Sequence, residues 1–241
     1  MTDSLFTAHT FEVIIMILDT IKRIKPQSVL DIGCGCGAFT KEIIPFAGHI
    51  TAIDTEAYLI KRCQAEIQAD NVSFMVKNGS DTGFEDRSFD LVFARCSLHH
   101  SPLWKNIINE MLRLSKGPVL IEEPVDSDRN EAKIVKRKAW DFFLDLQREI
   151  GQYHAPHFEP EILTNYLDNL KADYKSELHQ NDETTEFDEF FSLYDRYAKK
   201  SKMYEYRTLI LEEFRNELNG APLCEDDLIY IEITGGGRTT E

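Results

Sequence analysis

The chain has 241 residues, 42% of them hydrophobic, enough for one sizeable core and cramped for two independent domains. Its 27 Lys and Arg stand against 42 Asp and Glu, a formal net charge of -15, and a field of that sign repels a phosphate backbone. Nucleic-acid substrates are disfavoured, because the one dense basic run, Lys133 to Lys138, is short and interleaved with apolar residues at helical spacing.

Residues 1–27 read as an N-terminal helical cover. Phe11 to Ile24 contains Ile14-Ile15-Met16-Ile17-Leu18, but Glu12 and Asp19 bracket this run, it falls far short of a membrane span, and the charged n-region of a signal peptide is missing. The pattern predicts an amphipathic helix lying on a sheet, with no membrane insertion. The five cysteines, at 34, 36, 63, 96 and 224, form no CxxC, and no histidine stands at metal-ligand spacing. No metal site is expected, and the thiols read as reduced, in a cytoplasmic protein.

Val29-Leu30-Asp31-Ile32-Gly33-Cys34-Gly35-Cys36-Gly37-Ala38-Phe39-Thr40 is an apolar strand running into a glycine-dense turn and a helix start. Such a turn brings backbone close to a nucleotide-like ligand. Asp31 separates two ligands that use it. A pyrophosphate at the helix N-terminus would be repelled by this carboxylate, whereas the ammonium and sulfonium of S-adenosylmethionine would be attracted. His49-Ile50-Thr51-Ala52-Ile53-Asp54 then reads as a strand ending in an acid about 20 residues after the first glycine, the spacing that serves a ribose diol. The competing role for Asp54 is to cap the helix that begins near Glu56.

Val72 to Asn78 reads as a third strand, Asp86 to Arg95 as the lead-in and body of a fourth, and Cys96-Ser97-Leu98-His99-His100 follows it. Met111 to Ile121 supplies a helix end, a turn and a fifth strand. From Ser28 to Glu123 this series resembles, in order, the class I S-adenosylmethionine-dependent methyltransferases, in particular the broad small-molecule group that includes ubiquinone-biosynthesis-like enzymes. The resemblance implies an α/β, Rossmann-like, doubly wound seven-stranded sheet, parallel with an antiparallel edge strand, whose cofactor-binding core is 28–123. It implies S-adenosyl-L-methionine as cofactor, held by Asp31, Gly33, Cys34, Gly35, Gly37, Asp54, Thr55, Asn78, Gly79 and Arg95. Asn78 stands where the family carries an adenine-contacting Asp, with Lys77 in place of the preceding glycine. An amide oxygen can still accept from the adenine amine, and Asp81 stands close by as the alternative.

After Pro124 the pattern changes. Residues 124–170 predict a helical lid: a long helix from Asp126 to Ile150, a loop Tyr153-His154-Ala155-Pro156-His157-Phe158, and a helix from Pro160 to Leu170. Tyr174 to His179 and Leu228 to Thr234 predict the last two strands, and Gly235-Gly236-Gly237 reads as the start of a flexible tail. Between those strands, 181–227 predicts a helical cap insertion, with helices over Phe187 to Lys199 and Met203 to Leu218. It carries 13 acidic and 6 basic side chains, a net of -7. That charge reads as a solvated face or as a preference for a neutral or cationic acceptor. Self-association as a homodimer is the alternative role of this face.

Methyl transfer from a sulfonium is an in-line displacement, so the protein must chiefly hold the acceptor lone pair near the methyl carbon. A base is needed only if the acceptor carries a proton that leaves early. The candidates are His100, Glu123 and His99, at the carboxyl edge of the sheet where ligands bind in open α/β folds. Tyr153, His154 and His157 are the candidate contacts to a small-molecule acceptor. Pro156 keeps these histidines off a shared helix face, so they do not read as a metal motif. A nicotinamide-dependent oxidoreductase and a non-catalytic donor-binding protein are the competing functions.

Overall fold

The computed structural model describes residues 11–151, 153–185, 187–218, 221 and 223–236. In chain order the elements are α1 (Phe11–Ile24), β1 (Ser28–Ile32), α2 (Ala38–Ile43), β2 (His49–Asp54), α3 (Ala57–Glu66), β3 (Val72–Val76), β4 (Leu91–Arg95), α4 (Trp104–Leu114) and β5 (Val119–Val125). They continue with α5 (Glu131–Glu149), α6 (Pro160–Asn169), β6 (Ala172–His179), β7 (Thr184–Thr185), α7 (Phe187–Ala198), α8 (Tyr204–Leu218), β8 (Leu223–Cys224) and β9 (Asp227–Gly236).

Seven strands form one sheet in the order β3-β2-β1-β4-β5-β9-β6. The first five pair in parallel, and β9 runs antiparallel to both of its neighbours. The reversed strand is therefore second from the edge, and the edge strand β6 points the same way as the rest. β1 and β4 are adjacent although β2 and β3 lie between them in sequence. The strand order reverses there, and a crevice opens outside their carboxyl ends.

The central strands are continuous apolar runs because helices cover both faces. Successive residues divide between two cores. Val29, Leu91, Phe93 and Leu120 pack with Ile17 and Ile21 of α1. Leu30, Val92 and Ile121 pack with Ile108 and Met111 of α4 and with Leu163 and Leu167 of α6. α1 thus lies on the Val29 face of the sheet through Ile17 and Ile21; residues 1–10 lie outside the described residues.

A third core is separate from the sheet. Val135, Ala139, Phe143 and Leu146 of α5 bury against Phe190 and Tyr194 of α7 and Leu211 of α8. Each large side chain buried there contributes about 1.5–3 kcal/mol. The chain boundary drawn between a lid at 124–170 and a cap at 181–227 does not follow this packing. α5 belongs with α7 and α8, while α6 belongs to the sheet. Asp227 pins the base of the cap: its buried carboxylate accepts from Ser127 Oγ at 2.6 Å, Arg129 Nε at 2.9 Å and the Asn181 amide at 2.8 Å, and pairs with Lys133 Nζ at 2.6 Å.

Two local expectations change. α5 starts at Glu131 rather than Asp126, because the Asn130 side chain accepts from the Lys133 amide at 2.9 Å and caps the helix there. Gly235 and Gly236 are not tail but β9, paired with Asp173 and Ala172; residues 237–241 lie outside the described residues.

Candidate active site

The glycine turn leaves β1 at the crevice. Gly33, Gly35 and Gly37 all have left-handed φ angles, +77°, +54° and +75°, but the three positions differ in what surrounds them. A Cβ on Gly33 would overlap Ser97, so this glycine lets the loop after β4 pack directly on the turn. A Cβ on Gly37 would come within 2.7 Å of Ile67. A Cβ on Gly35 would meet nothing within 4 Å, so Gly35 faces open space and is free for a ligand to approach.

Asp54 holds the turn. Its Oδ2 accepts from the Gly35 amide and its Oδ1 from the Glu56 amide, both at 2.9 Å. The carboxylate thus joins β2, the glycine turn and the start of α3, with lone pairs left on each oxygen. Thr55 is exposed beside it. The Cys34 thiol is pushed up by a hydrogen bond with Cys63 and by burial, which suits an inert filler.

Asp31 lies beneath the turn, 3% exposed, with the Thr40 hydroxyl donating to its Oδ2 at 2.6 Å. Burial pushes its carboxyl up to about 7, against the stabilising Thr40 bond, with the nearby Asp54 charge adding to the rise and Arg95 opposing it. Arg95, at the end of β4, pairs with buried Glu122 at 2.6 Å and stands over the Phe39 ring. These charges form a buried network under the cleft, in which Glu122 and Thr40 carry parts that sequence reasoning missed.

On the far wall, the Asn78 amide oxygen accepts from both the amide and the hydroxyl of Ser80, at 3.0 and 2.9 Å. Both of its lone pairs are used within its own turn, so the acceptor role foreseen for it would displace those bonds. Gly79 is packed against Ile32, which a Cβ would approach to 2.6 Å.

Opposite the glycine turn, Cys96 takes a left-handed φ of +48° and its amide donates to the Glu122 carbonyl at 2.7 Å. This conformation costs a residue with a side chain about 1–2 kcal/mol, and it turns the chain into Ser97 to His100. Glu123 then fixes the turn: its Oε1 accepts from the Ser97 and Leu98 amides at 2.8 and 2.7 Å, and its Oε2 from His99 Nδ1 at 2.6 Å. Against its burial, His99 and these two amides hold the carboxyl below its usual range. A buried, ionised carboxylate that accepts from three donors orients His99. It does not have the exposure of the base foreseen at this position.

The loop before α6 closes the wall. The Ala155 amide donates to the His99 carbonyl at 3.2 Å, and the Asp126 amide to the Phe158 carbonyl at 2.9 Å. These bonds bring His154 against both histidines of the other loop, with ring centroids 5.1 Å from His99 and 4.3 Å from His100. His99 and His100 stand 4.1 Å apart. His154 Nδ1 meets Gln147 Oε1 at 2.7 Å, and Trp140 packs on both His154 and His157. Burial and neighbouring imidazoles push His154 down to about 2. His100 keeps an exposed edge, yet its crowded surroundings and His99 push it down to about 4.

His157 is buried with Nδ1 3.7 Å from both Asp126 and Asp226, and burial lowers it to about 4 despite the Asp226 charge. Burial and the Asp226 charge push Asp126 itself up to about 7. Tyr153 is 55% exposed at the outer end of the loop. The structure thus gathers His99, His100 and His154 with Glu123 at one place, sets His157 behind them and leaves Tyr153 outside. Gln147 and Trp140 had no signal in the sequence, since only the loop's return places α5 beside β4.

Residues 30–118 match the family model described as a methyltransferase domain. The chain is 33% identical over 172 residues to a sterol 24-C-methyltransferase of Gibberella zeae, covering 66% of this chain and 42% of that protein. It is 32% identical over 137 residues to the sterol 24-C-methyltransferase of Schizosaccharomyces pombe, covering 54% and 36%. The chain therefore spans less than half the length of these curated relatives. Among solved structures, the YcgJ protein of Bacillus subtilis shares the fold at a TM-score of 0.69 and 16% identity, over 93% of this chain and 98% of that one. A putative methyltransferase from Bacillus halodurans does so at 0.65 and 20%, over 90% and 97%. Residues 30–118, which hold the glycine turn and the acid-tipped second strand, thus match a methyltransferase domain of the class I, S-adenosylmethionine-dependent kind.

Proposed function

We propose that the chain binds S-adenosylmethionine in the crevice between β1 and β4 and transfers its methyl group to a small-molecule acceptor seated against the His99, His100 and His154 wall. The observation that carries this reading is the open space over Gly35, whose amide is held by Asp54, beside Gly33 where Ser97 packs on the turn. The donor's ribose diol would take the remaining lone pairs of Asp54, its ammonium would lie toward Asp31, and its adenine would lie toward Asp81 and Gly79. Asp81 is favoured over Asn78 because the Asn78 oxygen is already engaged.

Methyl transfer needs no protein nucleophile. The chain contributes alignment, through the two loops that face each other across the switch point, and exclusion of water, through the cap built from α5, α7 and α8. His100 is the candidate proton acceptor, because Glu123 and His99 are committed to one another. Its lowered basicity suits a proton that leaves late, as the new bond forms. The relatives named for sterol methylation make a largely apolar acceptor the first class to test, and the acidic cap is compatible with one that is neutral or cationic.

Among the described residues no helix is long and apolar enough to cross a membrane. The five cysteines carry free thiols, which is consistent with a reducing cytoplasmic setting. The test is to incubate the protein with methyl-labelled donor and a cell extract, and to identify the labelled product by mass spectrometry. A labelled small molecule that depends on the protein is the expected result. Donor binding with no transfer to any extract component would instead favour a donor-binding sensor.

A further inference from the structure

We infer that His99, His100 and His154 form a binding site for a divalent first-row transition ion, with one coordination position left open to an oxygen ligand at the acceptor wall. One ring nitrogen from each histidine lies within 4.8 Å of those of the other two. The tautomers follow from the partners. An ionised Glu123 can only accept, so His99 carries a proton on Nδ1, and Gln147 Oε1 requires the same of His154. Nε2 is then the nitrogen that His99 and His154 can offer to an ion, and His100 can offer either of its own. His154 Nε2 is buried and has no hydrogen-bond partner among the described residues.

Two imidazoles stacked at an interplanar angle of 26°, with a third ring against both, bring three potential nitrogen ligands together. An ion bound to all three would satisfy the orphaned nitrogen and remove the repulsion between lone pairs at once. Nitrogens about 2.0–2.1 Å from a tetrahedral zinc stand roughly 3.3 Å apart. The rings must therefore close in slightly, and His100 is the one of the three that is exposed.

The outer partners are those a metal site uses. Glu123 on His99 and Gln147 on His154 fix the rings through Nδ1 and raise the donor strength of Nε2, as carboxylate–histidine–metal arrangements do. Three imidazoles and no thiolate suit zinc, cobalt, iron or nickel better than magnesium or calcium, and three protein ligands leave a fourth position for water or an acceptor oxygen.

Only the ion's chemical task rests on the methyltransferase reading; its binding does not. With the ion bound, His100 would be its ligand and not the proton acceptor; an acceptor hydroxyl bound there would lose its proton to solvent water, and the oxyanion would attack the donor methyl. The O–C bond would form as the S–C bond breaks and the neutral thioether leaves. No oxidant or reductant is involved.

The test uses the whole protein, stripped with a chelator, dialysed and titrated with Co2+ alone, followed by visible absorption and by competition with Zn2+. Donor affinity is measured on the same preparation. The expected result is one Co2+ per chain with a tetrahedral absorption band displaced by Zn2+. Affinity should fall about 100-fold in His100→Ala and in His154→Ala, and about tenfold in Gln147→Ala, with unchanged circular dichroism. Absence of stoichiometric Co2+ binding to the folded wild type overturns the inference, as does unchanged affinity in both histidine variants, which would place the ion elsewhere, for example at Cys34 and Cys36. Donor binding without Co2+ binding overturns this inference and leaves the methyltransferase reading standing. Co2+ binding without donor binding supports the site and contradicts that reading.

Discussion

Asp31 is the residue whose chemistry depends most on what fills the crevice. Its carboxyl sits at about 7 in the free protein, mainly through burial. A donor carrying an ammonium and a sulfonium binds best to the ionised form, so binding must lower this value. Donor affinity should then be level above pH 7 and fall by up to tenfold per unit below it, until the carboxyl's value in the complex is reached. Asp31→Asn should bind the donor more weakly at pH 8 and lose this pH dependence, as calorimetry at several pH values will show. An identical pH slope in the variant would assign the titration to another group. Glu123 gives the complementary case. Glu123→Gln keeps the size but sets an amide NH2 against one of three donors, at a cost of about 1–3 kcal/mol. Turnover should fall tenfold or more while donor Kd stays the same, because the loss falls on His99 and its loop. If donor affinity instead falls in step with turnover, Glu123 serves the cofactor wall and not the acceptor wall.

At the scale of elements, the sequence carried β1 to β5 well because each strand is short, apolar and closed by a turn signal. The acid-tipped glycine turn is likewise a local pattern, and α1, α6, α7 and α8 fall within a residue or two of their expected bounds. What was not legible is what distant segments do to one another. Gln147 lies on α5 and His154 on a loop, and only the hydrogen bonds from Ala155 to His99 and from Asp126 to Phe158 carry them to the end of β4. Glu123 looked like a base because its residue type and strand end are right for one. The two amides and the imidazole that occupy it are visible only in three dimensions. The grouping of α5 with α7 and α8 yields a prediction of its own. Phe143→Ala should remove about 3–5 kcal/mol from the cap core and leave the sheet intact. Two unfolding transitions should replace one in a thermal scan, with acceptor turnover reduced and donor affinity held within tenfold. A single transition shifted as a whole would mean that cap and sheet unfold as one unit.

Across the whole molecule, the strand order places the glycine turn and the histidine wall on opposite sides of one crevice, and the cap is pinned to the sheet through Asp227 at the start of β9. The cap's acidic face leaves self-association open, and sizing the wild type at several concentrations will show whether the chain forms a homodimer. The crevice over Gly35 is the proposed donor site on which every other role in the molecule depends. Calorimetry of the wild type and of Gly35→Val with S-adenosylmethionine and with NAD tests this most directly. The valine would face open space in the free protein and cost about 1–2 kcal/mol of backbone strain, so the variant should remain folded by circular dichroism. The wild type should bind the donor at micromolar strength, on the order of -8 kcal/mol, and bind no NAD, and the folded variant should bind neither. Donor affinity preserved in folded Gly35→Val, or NAD affinity without donor affinity in the wild type, would contradict the account.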